Sequence, residues 1–144
     1  DQTIRAWQMQ LAILNDAIDL LQSQNVPAGA TILGDVPHYL SNNYNDEIVF
    51  SQPWDFGAAL ALTYAKPINP GPVLDSSRNE LRQLRIENGI VLAQNFIGSD
   101  LSNFWAYQFN SQTNRGTLVQ IANAEQFELF IQQLSERAKP NRSE

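Results

Sequence analysis

Ile4, Trp7, Leu11, Leu14, Ile18 and Leu21 follow one another at intervals of 3, 4, 3, 4 and 3. Only an α-helix gathers that spacing onto one stripe, because its turn takes 3.6 residues. Gln8, Gln10, Asn15, Asp19 and Gln22 fall largely on the other faces. Residues 2–24 are therefore expected to form one amphipathic helix packed on a sheet. A coiled-coil seam would need more heptads and flanking charges, which the segment lacks.

Asn25 to Gly29 turns the chain. Thr31 to Val36 reads as a short buried strand, and Pro37 stops it because proline cannot donate to a ladder. A polar loop from Ser41 to Asp46 leads to Glu47–Phe50, a second possible strand. Pro53 suits the first position of a helix, where its missing N–H costs nothing. Asp55 then sits in the first turn, favourably near the positive end of the helix dipole. Phe56 to Ala65 is apolar nearly all round, which predicts a helix over 53–65 buried against the sheet. Lys66 to Pro72 holds Pro67, Pro70, Gly71 and Pro72 and reads as a loop.

Two readings compete for the next stretch. Ser77-x-x-Glu80 resembles a capping box, which would make Arg78 to Asn88 a helix. Alternatively, Leu84–Glu87 and Ile90–Ala93 are strands joined by Asn88-Gly89, a pair that tolerates the positive φ of a type I′ turn. Alternation of Leu84 and Ile86 with charges favours the hairpin. Ser99, in Gly98-Ser99-Asp100, reads as a turn. Phe104 to Phe109 places Trp105, Tyr107 and Phe109 on one face and Phe104 and Ala106 on the other, and Thr117 to Ile121 returns after a turn at 111–116. Asn123 can cap a last helix over 123–138, with Gln126 placed for the reciprocal bond. The order predicts a single α+β (or α/β) domain spanning residues 1–144. Its mixed β-sheet contains Thr31 to Val36, and about three helices pack against it.

Composition narrows the function classes. With no cysteine, disulfides, thiolate zinc sites and cysteine nucleophiles are excluded. The net charge is −6, and the nine basic residues are dispersed, Arg78, Arg82 and Arg85 being the nearest to a cluster. Nucleic acid and anionic membrane surfaces both need concentrated positive charge, so neither is an expected partner. The apolar runs fall well short of the roughly 18 residues that cross a bilayer.

His38 is the only histidine. It follows a strand and a proline, and ligands in open α/β sheets collect at the carboxyl ends of strands. Asp35, His38 and Tyr39, with Trp54 and Asp55 opening the next helix, are the candidate ligand-binding residues. A neutral polar ligand such as a sugar suits them, because Asp55 would compete with an anion for the free helix N–H groups. An Asp35–His38 pair can also serve as a general base in a small hydrolase-like enzyme. The simpler alternative is a loop histidine bonded to local backbone. No catalytic residue is assigned, no Gly-x-Ser-x-Gly elbow or phosphate loop exists, and neither a metal nor a cofactor is expected. The tryptophans and tyrosines can form a sugar-stacking platform, although aromatics at alternating strand positions are more often core.

Several segments together carry a family resemblance. These are Trp7-Gln8-Met9-Gln10, Pro27 to Leu33, Asp35-Val36-Pro37, Ala59 to Tyr64 and Asn103 to Phe109. They resemble the soluble C-terminal domains that follow the last membrane span of bacterial polytopic proteins, many of them similar to lipid-linked-sugar glycosyltransferases. The resemblance implies an extracytoplasmic domain on the outer face of a bacterial inner membrane, part of a larger protein. In such transferases the catalytic carboxylates are expected in loops between membrane helices, so it assigns no active-site residue here. A start at Asp1, without Met, fits a processed protein or a fragment of a longer one, and several upstream membrane spans are expected. The function expected is a non-catalytic accessory or binding domain, with carbohydrate or another envelope protein as partner. A protein-interaction module using helix 2–24 is the other alternative to the hydrolase.

Overall fold

The computed structural model describes residues 2–38 and 55–138. Within them the chain runs α1 (Gln2–Ser23), β1 (Thr31–Asp35), α2 (Asp55–Thr63), β2 (Asn69–Leu74), a 3₁₀ turn (Ser76–Arg78), β3 (Arg85–Glu87), β4 (Ile90–Ala93), β5 (Phe96–Asp100), β6 (Phe104–Asn110), β7 (Arg115–Gln120) and α3 (Ala124–Ala138). The fold class is α+β, with three helices and a mixed sheet. The expected loop at 41–46, the strand at 47–50 and the helix start at Pro53 lie outside the described residues.

The main sheet has the order β2-β1-β6-β7. Both β2 and β6 run parallel to β1, and β7 is antiparallel to β6. Three neighbouring strands therefore point their carboxyl ends at the same edge, and that edge carries the site described below.

β6 shows why the molecule is layered. Its period of two sends Trp105, Tyr107 and Phe109 into one core with α1 and α2, and Phe104 and Ala106 into a second with α3. All five are buried. The small antiparallel sheet β3-β4-β5 closes the second core through Val91. Phe104 meets Phe127 of α3 edge-on at 5.8 Å, and Phe56 of α2 stacks on Tyr107 at 5.5 Å. Each such fully buried side chain contributes about 1.5–3 kcal/mol.

Four expectations need correction. First, only the second half of the expected α1 stripe packs in the core, through Leu14, Ile18 and Leu21. Ala6, Ile13, Ala17, Ile18 and Leu21 are buried, whereas Ile4, Trp7 and Leu11 are exposed, Trp7 by 60%. The small Ala6 and Ala17 let the helix backbone approach the sheet, and this turns the larger residues of its first half outward. Second, α2 is not covered all round, because Leu62 is 89% exposed while Phe56 and Leu60 face the core. Third, the expected loop Lys66 to Pro72 contains most of β2. An edge strand has one side with no ladder bonds to make, so Pro70 and Pro72 are tolerated there. One extra β2 residue opposes Leu33, and a Cβ on Gly71 would stand 2.7 Å from the Ile32 carbonyl oxygen. Fourth, Gly98-Ser99-Asp100 is part of β5, and the turn falls earlier, at Gln94-Asn95.

The hairpin reading of 84–93 holds, with Asn88 at φ 53 and Gly89 at φ 77 forming the turn between β3 and β4. Asn123 caps α3 as expected, its Oδ1 accepting the Gln126 N–H at 2.9 Å. The return bond from Gln126 reaches one residue further back, to the Ala122 N–H at 2.8 Å.

The outer strands of the main sheet are also protected. β2 carries its prolines, and on β7 the helix α1 supplies two side-chain caps. Asp16 accepts the Gly116 N–H at 2.9 Å, and Gln24 donates to the Leu118 carbonyl at 3.0 Å. Both devices remove free ladder groups that would otherwise template pairing with another chain.

Candidate functional site

β1 ends at Asp35, which pairs in register with Leu74 of β2 on one side and Gln108 of β6 on the other. Asp75 follows directly on β2. Two carboxylates thus stand at neighbouring strand ends, and both are buried, Asp35 at 3% exposure and Asp75 at 1%. Buried carboxylates are tolerable only when donors surround them. Asp35 Oδ1 accepts the Ser76 N–H at 2.8 Å. Its Oδ2 accepts the Ser76 hydroxyl at 2.6 Å and the Gln108 amide at 3.1 Å. Arg137, near the end of α3, stands 3.9 Å from the same oxygen, an ion pair too long to be a hydrogen bond. Asp75 accepts the His38 N–H at 2.9 Å and the Ser77 hydroxyl at 2.6 Å.

Local sequence builds this arrangement. Pro37 ends the strand and turns the chain so that the His38 amide meets Asp75. The 3₁₀ turn at Ser76–Arg78 folds both serine hydroxyls back over the carboxylates. Asn79, at φ 58, reverses the backbone, and Asp75 and Glu80 then exchange N–H···O bonds of 3.1 and 3.0 Å. Residues 75–80 form a closed loop, in which Asp75, Ser76, Ser77 and Glu80 are held by side-chain contacts.

Above these carboxylates lies an open cleft of about 310 Å³. Residues 35–37 at the end of β1, 75–77 after β2, 109–112 at the β6–β7 turn, and Arg137 line it. Asn110 is fixed within that lining, because its Oδ1 accepts the Gln112 N–H at 2.9 Å.

His38 lies beside the cleft and does not line it. Its Nδ1 is 3.2 Å from a Glu80 carboxylate oxygen, which places the proton on Nδ1. Nε2 is then an acceptor, buried and without a partner among the described residues. Burial holds the imidazole below its ordinary pKa. Asp75 and Glu80 oppose that shift, and Arg82 adds to it.

Asp35 and His38, expected together, thus serve different partners. Among the described residues, the hydrogen bonds to the Asp35 carboxylate come from Ser76 and Gln108, and the imidazole turns to Glu80. Neither residue orients the other as a catalytic pair requires. Each serine hydroxyl gives its proton to a carboxylate, with no histidine at hand to activate it. Tyr39 and Trp54 lie outside the described residues, and Asp55 is described only as the first residue of α2. Of the remaining aromatics, Tyr64, Trp105 and Tyr107 are core, and Trp7 is exposed on α1.

Sequence reasoning missed Asp75, Ser76, Ser77, Gln108, Asn110 and Arg137. The rule that pointed to Asp35 would have found Asp75 too, had residues 69–74 been read as a strand. Ser77 and Glu80 form no capping box: one bonds Asp75 and the other His38. Among the described residues no group of three His, Asp or Glu side chains is placed to hold a metal ion, and no helix is long and apolar enough to cross a membrane. No protein-family model, curated protein or solved structure matches the chain.

Proposed function

We propose that this chain is a non-catalytic ligand-binding domain of a membrane-anchored cell-envelope protein, displayed on the extracytoplasmic face of a bacterial inner membrane. Its ligand is a small polyhydroxylated molecule of the sugar class, seated in the cleft at the ends of β1 and β2. One observation carries the reading: polar groups from four separate segments converge on one open cleft, and hydrogen bonds to buried carboxylates fix the serines among them. Such preorganisation suits binding, because the groups need no reordering when a ligand arrives. The membrane context rests on the sequence resemblance, which also makes a glycosyltransferase-like parent the natural host.

Calorimetric titration with a panel of mono- and oligosaccharides tests the reading, with chromatography of the same mixtures. Saturable binding without turnover is expected. Turnover that Asp35→Asn or His38→Gln abolishes would favour the hydrolase alternative instead. The upstream reading frame tests the context, since an anchor needs an apolar run of about 18 residues or more.

A second reading has its own observation. Trp7 and Leu11 are exposed on one side of α1, by 60% and 38%. An apolar stripe of this kind suits a protein-interaction module that pairs two copies of the chain. Sedimentation across a concentration series tests it, with Trp7→Ala expected to abolish any dimer.

A further inference from the structure

The described groups lining the cleft divide into buried groups already holding parts of the protein and exposed groups with donors to spare. The carboxylates belong to the first set. Asp35 and Asp75 are buried and already hold Ser76, Gln108, His38 and Ser77. A ligand therefore meets the carboxylates through the groups that they hold, and Arg137 offsets the charge of Asp35. Arg137 and Asn110 belong to the second set. Arg137 is 44% exposed, and its contact with Asp35 is 3.9 Å, so the guanidinium lines the cleft with donors unspent. The carboxamide of Asn110 is oriented by its own backbone: Oδ1 takes the Gln112 N–H, which leaves the two Nδ2 protons for another acceptor. Ser77 complements them, because its proton is committed to Asp75 and its exposed oxygen can only accept.

Neutral sugar hydroxyls can accept from these donors, but a planar anion accepts more strongly, because charge-assisted hydrogen bonds are about twice as strong as neutral ones and a carboxylate is acceptor-only. We propose that the cleft selects an anionic sugar, with its charged group on Arg137 and Asn110 and a ring hydroxyl donating to Ser77. This rests on the ligand-binding reading above and narrows it. It also departs from the neutral ligand expected from sequence, where Asp55 was the group that argued against an anion. The anion is here placed on Arg137, at the end of α3, and not at the start of α2.

Titration of the chain with glucuronate, glucose 1-phosphate, glucose and inorganic phosphate at low salt tests this. The two charged sugars are expected to bind at least tenfold tighter than glucose, and the ratio of their affinities tells carboxylate from phosphate recognition. Arg137→Gln is expected to bring charged and neutral sugars to the same affinity. Asn110→Asp keeps the acceptor for Gln112 but replaces the donor with a negative oxygen, and should weaken the charged sugars tenfold without unfolding the turn. Equal affinity for glucose and glucuronate in the unmodified chain overturns the anion assignment and leaves the ligand-binding reading standing. Phosphate binding as tightly as glucose 1-phosphate overturns the sugar part. Absence of binding to every probe overturns both.

Discussion

The Ser76 hydroxyl donates to the Asp35 carboxylate across 2.6 Å, and it joins the strand end of β1 to the turn that follows β2. Asp35 is buried, so the bond is not exchanged with water and its loss is felt. Asp35→Ala leaves the Ser76 N–H, the Ser76 hydroxyl and the Gln108 amide facing an empty site. A loss of about 2–4 kcal/mol is expected, and about 1–3 kcal/mol for Ser76→Ala. Urea unfolding of the two single variants and the double variant measures both. Effects that simply add in the double variant would show that the pair is not coupled.

Stability should depend on pH through His38. Burial lowers its pKa from 6.5 in the folded protein, so the unfolded chain takes up the proton first as pH falls. The contribution of neutral His38 is therefore fully present above 6.5 and is lost as pH falls below 6.5 toward the folded value. Denaturant midpoints between about pH 7 and pH 5 should fall for the wild type and fall less for His38→Gln. An identical slope in both proteins would show that His38 does not carry the pH dependence.

Gly34 fixes how close α2 can come to the sheet. A Cβ at this position would stand 2.5 Å from the ring of Phe56, which also stacks on Tyr107. Gly34→Val should cost about 1–3 kcal/mol through overpacking. Phe56→Ala should cost about 3–5 kcal/mol through the cavity it opens. Combining them should cost less than the sum, because the smaller residue makes room for the larger.

The first helix separates what the sequence revealed from what it hid. Its spacing of apolar residues located the helix to within a residue, but only the second half of the stripe, Leu14, Ile18 and Leu21, joins the core. Periodicity reports that a face exists; the residues that actually pack depend on how near the backbone comes, and Ala6 and Ala17 decide that here. Ile13→Ala should cost about 2–5 kcal/mol and Trp7→Ala less than about 0.5 kcal/mol in denaturant melts. The reverse order would mean that the helix packs through its expected stripe.

Other elements were legible where local chemistry and burial agreed. The alternation in β6, the Asn88-Gly89 turn and the Asn123 cap each state their geometry in a few residues. β2 was hidden because Pro70 and Pro72 look like loop residues until the strand is known to be outermost. β5 was hidden because Gly98-Ser99-Asp100 has the composition of a turn. At the site, Asp35 was visible from its place after a strand. Asp75 stayed hidden with β2, and Arg137 joins the cleft only through the packing of α3, about a hundred residues further along the chain.

Backbone amide shifts followed by NMR during titration with a glycan panel test the central claim most directly. A ligand in the cleft is predicted to move the amides of Val36, Ser76, Ser77, Ser111 and Gln112 together, with one saturation curve. Movement confined to other surfaces, such as the outer face of α1, or no movement with any glycan, would contradict it.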